Sequence, residues 1–307
     1  MLTSDFLNAV KNKQMLIVLD SEEANNIFQS FGFSNIANFN DFDFKNNTLP
    51  VFVLLTKYES QSKMNKSLWN ETGGIFAHLA ASKFDPAPET LRYSLEKLLA
   101  ISDYQSIIDY RDSMYDKALS ASAIKIHTDG GHCLDCTLAD EVEVANYDKE
   151  LQPGWLYSLA EFFETSIVNV QKDKSSFTAE GSFAFTGITH LENSSELKES
   201  AKPLIKEMVE LSLKGNNVVT CKDNRITQIT LGGQDFTDKL ITSVAGTARE
   251  TALTEFAFGT VDHQNLDWSI NSVLNEGILG VHIGIGMGLD MPHVDFIAAG
   301  AQVEFVS

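Results

Sequence analysis

Five side chains able to grip a cation lie in short apolar runs of this sequence. Glu255 sits in TEFAFG, His282 in GVHIGIGMG, His293 and Asp295 in PHVDFIAAG, and Glu161 further upstream in SLAEFFETS. After Arg249 the chain carries no lysine or arginine at all. A carboxylate or imidazole inside an apolar run is costly unless it is paired or bound to a cation. Carboxylates and imidazoles arriving together, with no base close by in sequence to neutralise them, point to a divalent metal site.

The spacing within each run says which side chains share a face. On a strand, residues two apart project together. His293 and Asp295 then point one way, and Val294 and Phe296 point into the opposite layer. Such a His-x-Asp pair can hold one metal or two adjacent ones, or form a hydrogen bond at a sheet edge. His282 shares its face with Gly284 and Gly286, which leaves room beside the imidazole. Glu255 shares its face with Ala257, another small neighbour. Glu161 is less clearly placed, because WLYSLAEFFETSIV also reads as a helix that turns Glu161 and Glu164 to solvent. Glu276, in LNEGILG, is a candidate second acceptor that orients a ligand imidazole, or a turn glutamate. Arg225 and Arg249 are the bases best placed to hold a substrate carboxylate, although both also read as solvated arginines. His127, His132, His190 and His263 fall in turns or at strand ends and read as surface histidines. Cys133 and Cys136 form a single CxxC with no second pair, so structural thiols are expected.

The elements that must position these residues change in character along the chain. Over residues 1–120 strand and helix signals alternate. QMLIVLD is a compact buried strand, and Ser21 caps the helix that follows it, with acids in its first turn. LPVFVLL and GGIFAHLAAS read as further strands, and helices are predicted near Pro88–Ile101 and Tyr104–Ser120. This is the texture of a small, mostly parallel α/β layer. No GxGxxG follows the first strand, so dinucleotide binding there is not expected. Residues 121–307 read as a β-rich α+β domain. It opens with a hairpin over AIKIHTDGGHCLDCTLAD and includes helices at roughly Ser194–Leu213 and Asp235–Leu253. The expected fold is therefore α/β plus α+β, with the metal ligands in the second domain.

Composition narrows the partners. The net charge is −19, from 42 acids against 23 bases, which argues against a nucleic-acid backbone or an anionic membrane. A 43% hydrophobic content is ordinary for a globular protein. No apolar run approaches the length of a membrane span, and the first apolar stretch reads as a strand and not a signal peptide. A cytoplasmic location is expected.

The ordered set LAEFFETS, EGSFAFTG, LTEFAFG, NEGILGVHIGIG and PHVDF resembles the thermophilic-type aminopeptidases, the aminopeptidase T and aminopeptidase S metallopeptidases. The resemblance covers about residues 120–300. It implies that Glu161, Glu255, His282, His293 and Asp295 hold two divalent ions of zinc, cobalt or manganese. It also implies a metal-activated water that cleaves a small peptide or aminoacyl amide, with Glu255 or Glu161 moving the proton, and a homodimer. The ring-cleaving dihydroxypyridine dioxygenases also look similar. They share the final His-x-Asp but lack a counterpart of His282. A two-histidine, one-carboxylate set of His282, His293 and Asp295 can still be drawn in this chain, so a single Fe(II) is the alternative cofactor. The chain departs from the peptidase pattern in lacking a tyrosine downstream of His282 and in the shorter stretch from His282 to His293. The hydrolase stays the main expectation. Those departures motivate one alternative, a non-catalytic accessory or binding protein of the same fold acting in a biosynthetic pathway, beside an Fe(II) oxygenase-like enzyme.

Overall fold

The computed structural model describes residues 1–67, 73–145, 149–169, 171, 175–192, 197 and 201–307. In chain order the first elements are α1 (Thr3–Lys11), β1 (Leu16–Leu19), α2 (Glu22–Ser30), β2 (Ile36–Asn38) and β3 (Pro50–Leu54). They are followed by α3 (Tyr58–Ser67), β4 (Ile75–Leu79), α4 (Pro88–Ala100) and α5 (Tyr104–Ser120). Next come β5 (Ala123–Thr128), β6 (His132–Leu138), β7 (Val144–Ala145), β8 (Leu156–Ser158) and β9 (Glu164–Val168). Then follow β10 (Phe177–Phe185), β11 (Gly187–Leu191), α6 (Ala201–Ser212), β12 (Asn217–Lys222), β13 (Arg225–Leu231) and β14 (Gln234–Asp235). The chain continues through α7 (Thr237–Val244), β15 (Leu253–Gly259), α8 (Val273–Glu276), β16 (Gly280–Ile285), β17 (His293–Ala299) and β18 (Gln302–Val306).

Two units emerge, and together they make the mixed α/β architecture expected from the sequence. One comprises Met1–Asp109, Tyr147–Phe163 and Ser272–Leu274; the other comprises Tyr110–Asn146, Glu164–Asn271 and Asn275–Ser307. The division falls inside α5, upstream of the pattern change near Ser120.

The first unit is built on a parallel sheet in the order β2-β1-β3-β4-β8. Its strands LIVL, PVFVL and IFAHL are almost wholly buried, as the strands of a parallel sheet covered on both faces must be. Ser21 caps α2 as expected, its Oγ accepting the Ala24 N–H at 3.2 Å. At the carboxyl end of β1, buried Asp20 ties two strand ends together. Its oxygens accept the Thr56 N–H (2.8 Å), the Thr56 hydroxyl (2.9 Å) and the Lys57 N–H (3.0 Å).

The second unit contains two mainly antiparallel sheets, one of seven strands in the order β14-β13-β12-β10-β6-β5-β18 and one of six in the order β11-β17-β16-β15-β9-β7. The predicted hairpin is β5 and β6, joined through Asp129–Gly131. Cys133 and Cys136 are three apart on strand β6, so they project to opposite faces, and all three cysteines are free thiols. The core joins the inner face of each sheet: Phe177, Phe183, Phe256, Phe258, Ile283 and Phe296 are all buried there. One expected helix is shorter than its pattern. α7 stops at Val244, Gly246 turns the chain in the left-handed region (φ 76°), and Leu253 already begins β15. The start of the other expected helix lies partly outside the described residues; its described part is α6. Among the described residues no helix is long and apolar enough to cross a membrane.

Replacing Asp20 with alanine strands two backbone donors and one hydroxyl in a buried position. We expect Asp20→Ala to lower stability by about 2–3 kcal/mol, read as a drop in the urea midpoint, with Asp20→Asn recovering part of the loss. An unchanged midpoint for Asp20→Ala would show that water replaces these bonds at no cost.

Candidate metal centre

The six-stranded sheet sorts its residues by face. Its register sets Glu255 opposite Gly284, Ala257 opposite His282, and Gly284 opposite Asp295. On the other side of β15, Gly259 lies opposite Glu164 and Ala257 opposite Ser166. One face therefore carries Glu164, Glu255, His282, His293 and Asp295, separated by Ser166, Ala257 and Gly284. The alternate residues Phe256, Phe258, Val281, Ile283, Val294 and Phe296 form the apolar core on the reverse. Period-two alternation across four strands thus gathers the donors without disturbing the core.

The donor atoms converge. His293 Nε2 lies 3.0 Å from Glu255 Oε1 and 2.9 Å from Asp295 Oδ1. His282 Nε2 lies 3.4 Å from the same Glu255 oxygen and 3.9 Å from Glu164 Oε2. Glu276, brought in by α8, completes the group: one donor atom each from Glu255, Glu276, His282 and Asp295 fall within 4.8 Å of one another. Donors bonded to a cation at about 2.1 Å stand roughly 3.0 Å apart at octahedral angles and 3.4 Å apart at tetrahedral angles, close to the three shortest separations here. On its far side His293 Nδ1 meets the Gly286 carbonyl at 3.0 Å. That contact fits a proton on Nδ1, which makes Nε2, 3.0 Å from Glu255 Oε1, the nitrogen available to a cation.

Two observations test whether a cation fits. Both ring nitrogens of His282 and both oxygens of Asp295 are buried without a hydrogen bond of good geometry, although charged neighbours stand close to them. A satisfied polar cluster would not leave four such atoms unbonded. Charge is the second test. Glu164, Glu255, Glu276 and Asp295 bring four carboxylates to two imidazoles. Even with both rings protonated and Glu276 neutral, as its raised pKa favours, one negative charge would remain, and ionising Glu276 would add a second. A divalent cation fits this donor set and this deficit.

The ionisation behaviour follows from the same crowding. Burial works against the charged form of His282, but Glu255, Glu164 and Asp295 outweigh it and raise its pKa to about 9. His293 is likewise raised, against its burial, by Asp295 and Glu255. Burial, then Glu164 and Asp295, push Glu276 well above the usual carboxylate range. Burial opposes ionisation of Glu255, yet the two imidazoles hold its pKa well below the usual value.

Of the residues singled out from the sequence, Glu255, His282, His293 and Asp295 are brought together, and Glu276 joins them directly. Glu161 is not among them. It lies in the 3-10 turn Ala160–Phe162 of the first unit, where its charge acts on Lys83. Glu164, three residues on, begins β9 and takes the place expected of Glu161. The structure buries ETSIV along its whole length, so Glu164 is not the solvent-facing helix position that the sequence also allowed. Gly286 has left the strand for a left-handed turn (φ 79°) and does not share the His282 face. Arg225 is occupied, its Nη1 lying 3.4 Å from Glu250 Oε2. Outside this centre, buried His78 meets Gln61 Oε1 at 3.2 Å through Nδ1, and burial, with Lys83 nearby, lowers its pKa to about 3. The sequence reading had not singled it out.

Over residues 12–306 the chain matches the family model described as crocagin biosynthetic protein CgnE/B. The chain belongs to this family. No curated protein matches it. Among solved structures, 2,5-dihydroxypyridine dioxygenase from Pseudomonas putida KT2440 is similar, with a TM-score of 0.51 and 11% identity over 98% of this chain and 92% of that one. At that identity the likeness establishes the fold alone. The CgnE/B match overturns the expected membership of the aminopeptidase T and aminopeptidase S metallopeptidases, and with it the hydrolase and aminopeptidase reading. Carboxylates and imidazoles alternating on strands do not by themselves distinguish one family from another.

Two outcomes follow for the metal centre. A Cβ added at Gly284 would stand 2.7 Å from His293 Cε1, 2.8 Å from Asp295 Oδ1 and 2.9 Å from Glu255 Cγ. Gly284→Ala removes no ligand, yet we expect it to weaken zinc or manganese binding by about tenfold or more, measured by calorimetric titration; unchanged affinity would place the cation elsewhere. The second concerns pH. A histidine raised in the folded state stabilises the fold fully below its unfolded pKa, and that stabilisation is lost as pH rises through the folded pKa. For His282 the window runs from 6.5 to about 9. The melting temperature of the metal-free protein should fall across this window, and saturating zinc should flatten the fall; a rise with pH would contradict the charge arrangement.

Proposed function

We propose that this chain is an accessory binding protein of a biosynthetic pathway that keeps a metal-holding cluster without using it for turnover. The observation that supports this is closure. Asp295 is 0%, His282 1% and Glu276 4% exposed, so only the Glu255–His293 edge of the cluster meets solvent. Catalytic metal sites keep coordination positions open for substrate, whereas structural sites fill them with protein donors. Here six side chains compete for one ion, twice the number in a two-histidine, one-carboxylate facial site.

On this reading Glu255, His282, His293 and Asp295 hold one divalent cation, and Glu164 and Glu276 complete its surroundings. When bound, the cation supplies positive charge to a sheet face that otherwise carries excess negative charge. His293 is oriented by the Gly286 carbonyl, and Gly284 leaves the space into which the donors lean. The mixed imidazole and carboxylate set suits zinc, manganese, cobalt or Fe(II).

The ligand we propose is a small peptide or aminoacyl compound, bound in extended form along β18. That strand lies at the margin of the seven-stranded sheet, and among the described residues it pairs there with β5 alone. A cavity of about 600 Å³ runs beside it, lined by Tyr110, Met114 and Lys117 of α5 and by Gln302, Val303 and Phe305 of β18. An extended segment added to such an edge gains backbone hydrogen bonds, and side-chain pockets supply selectivity.

A second reading, a mononuclear iron oxygenase, is favoured by the presence of His282, His293 and Asp295 on a fold shared with a dioxygenase. Anaerobic loading with Fe(II), elemental analysis and oxygen uptake separate the two. The accessory reading expects one ion per chain and no oxygen consumption when small peptides are supplied. Consumption of oxygen coupled to a changed peptide would replace it with the iron reading.

A further inference from the structure

Half-buried Arg249 presents two guanidinium nitrogens that have no hydrogen-bond partner among the described residues. Its Nε and Nη2 are both buried, and neither has a hydrogen-bond partner. These two nitrogens form the side of the guanidinium that pairs with both oxygens of a carboxylate at once. Leaving them unmet is expensive, because a buried charged donor without an acceptor costs more than the bond it lacks.

The backbone around Arg249 is held in place. Arg249 and Glu250 adopt consecutive left-handed conformations, with φ of 72° and 49°. Such strain in non-glycine residues persists only where the surroundings enforce it. Glu250, the nearest acid in sequence, is already engaged: Oε2 lies 3.4 Å from Arg225 Nη1 and Oε1 accepts the Gly246 N–H at 3.3 Å. Ala248 N–H donates to Asp290 Oδ2 at 3.0 Å, and Ile226 N–H donates to the Thr251 carbonyl at 2.9 Å. The loop between α7 and β15 is thus pinned on both sides of Arg249, while the guanidinium fork remains unused.

Position adds chemistry. The Ala248–Asp290 bond joins this loop to the 286–292 loop, whose Gly286 carbonyl orients His293. Both loops lie at the end of the sheet where Leu253 pairs with Ile285, beside the partly exposed Glu255–His293 edge of the metal centre. The 286–292 loop turns through left-handed Gly286 and Gly288, a conformation glycine adopts without steric cost.

We propose that Arg249 is the anchor of a carboxylate-binding subsite at the rim of the metal centre, holding a small organic acid through Nε and Nη2 between the two loops. The subsite stands independently of the peptide groove at β18. It would let a ligand carboxylate be fixed by Arg249 while the rest of the ligand lies toward Glu255 and His293.

The test is NMR of protein labelled with 15N-arginine, with the Arg249 Nε–H resonance assigned through Arg249→Lys. Succinate is the probe, succinamide the uncharged control, and chloride at matched ionic strength the salt control. The subsite predicts a saturable shift of the Arg249 resonance with succinate and none with succinamide. It also predicts roughly tenfold or greater loss of succinate affinity in Arg249→Lys, which keeps the charge but loses the fork. Equal shifts with chloride, or no saturable shift, would overturn it. So would a resonance that moves only on Asp290→Asn and ignores succinate, since Arg249 would then be serving a loop–loop ion pair.

Discussion

Uncompensated negative charge inside one sheet face is the constraint on which the second unit depends. Four carboxylates and two imidazoles cannot share that face unless the strands beneath them bring small residues between the donors. The sequence supplies Ser166, Ala257 and Gly284 at those positions. The reverse of the same strands is as apolar as any core, with Phe256, Phe258, Ile283 and Phe296 packed together. The sheet therefore works as a partition: one side is held by exclusion of water, the other by electrostatics.

How much of this could be read in advance depended on periodicity. His293 and Asp295 sit two apart on a strand, and their shared face needs no knowledge beyond the pleat. Glu255 with Ala257, and His282 with Gly284, follow the same rule. Glu161 failed because the rule needs a strand to act on: a 3-10 turn intervenes at Ala160–Phe162, and the alternation starts only at Glu164. The helix expected over 235–253 failed for the complementary reason. Apolar spacing continues past Val244, but the Gly246 turn and the strained residues at 249 and 250 are decided by tertiary bonds to Arg225 and Asp290. Which family the chain belongs to was less legible still. Donor types on alternating strands describe an architecture, and architectures are reused for different chemistry.

Closure separates holding an ion from using it. A donor set of this composition, opened at one or two positions, is suited to binding and activating small molecules. Crowded by six side chains and covered on most sides, such a set is better suited to holding an ion than to opening it to substrate. The same residues can therefore serve either end, and what decides is how many of them reach the ion and how much solvent reaches them. The first unit makes a different use of buried polarity. There Asp20 and the His78–Gln61 contact lie at or near the carboxyl ends of parallel strands and tie loops down with neutral or fully satisfied groups.

The route from β17 to β18 carries a consequence for the birth of the molecule. The two strands follow each other through Gly300, yet they lie in different sheets, and β18 pairs with β5 from far earlier in the chain. During translation, Ile124 and Ile126 must wait for Phe305 and Val303 before the sheet has its last member. Until residue 306 clears the ribosome, β5 offers an open flank to any extended polypeptide nearby. Any delay in docking β18 prolongs the exposure of that flank to edge pairing.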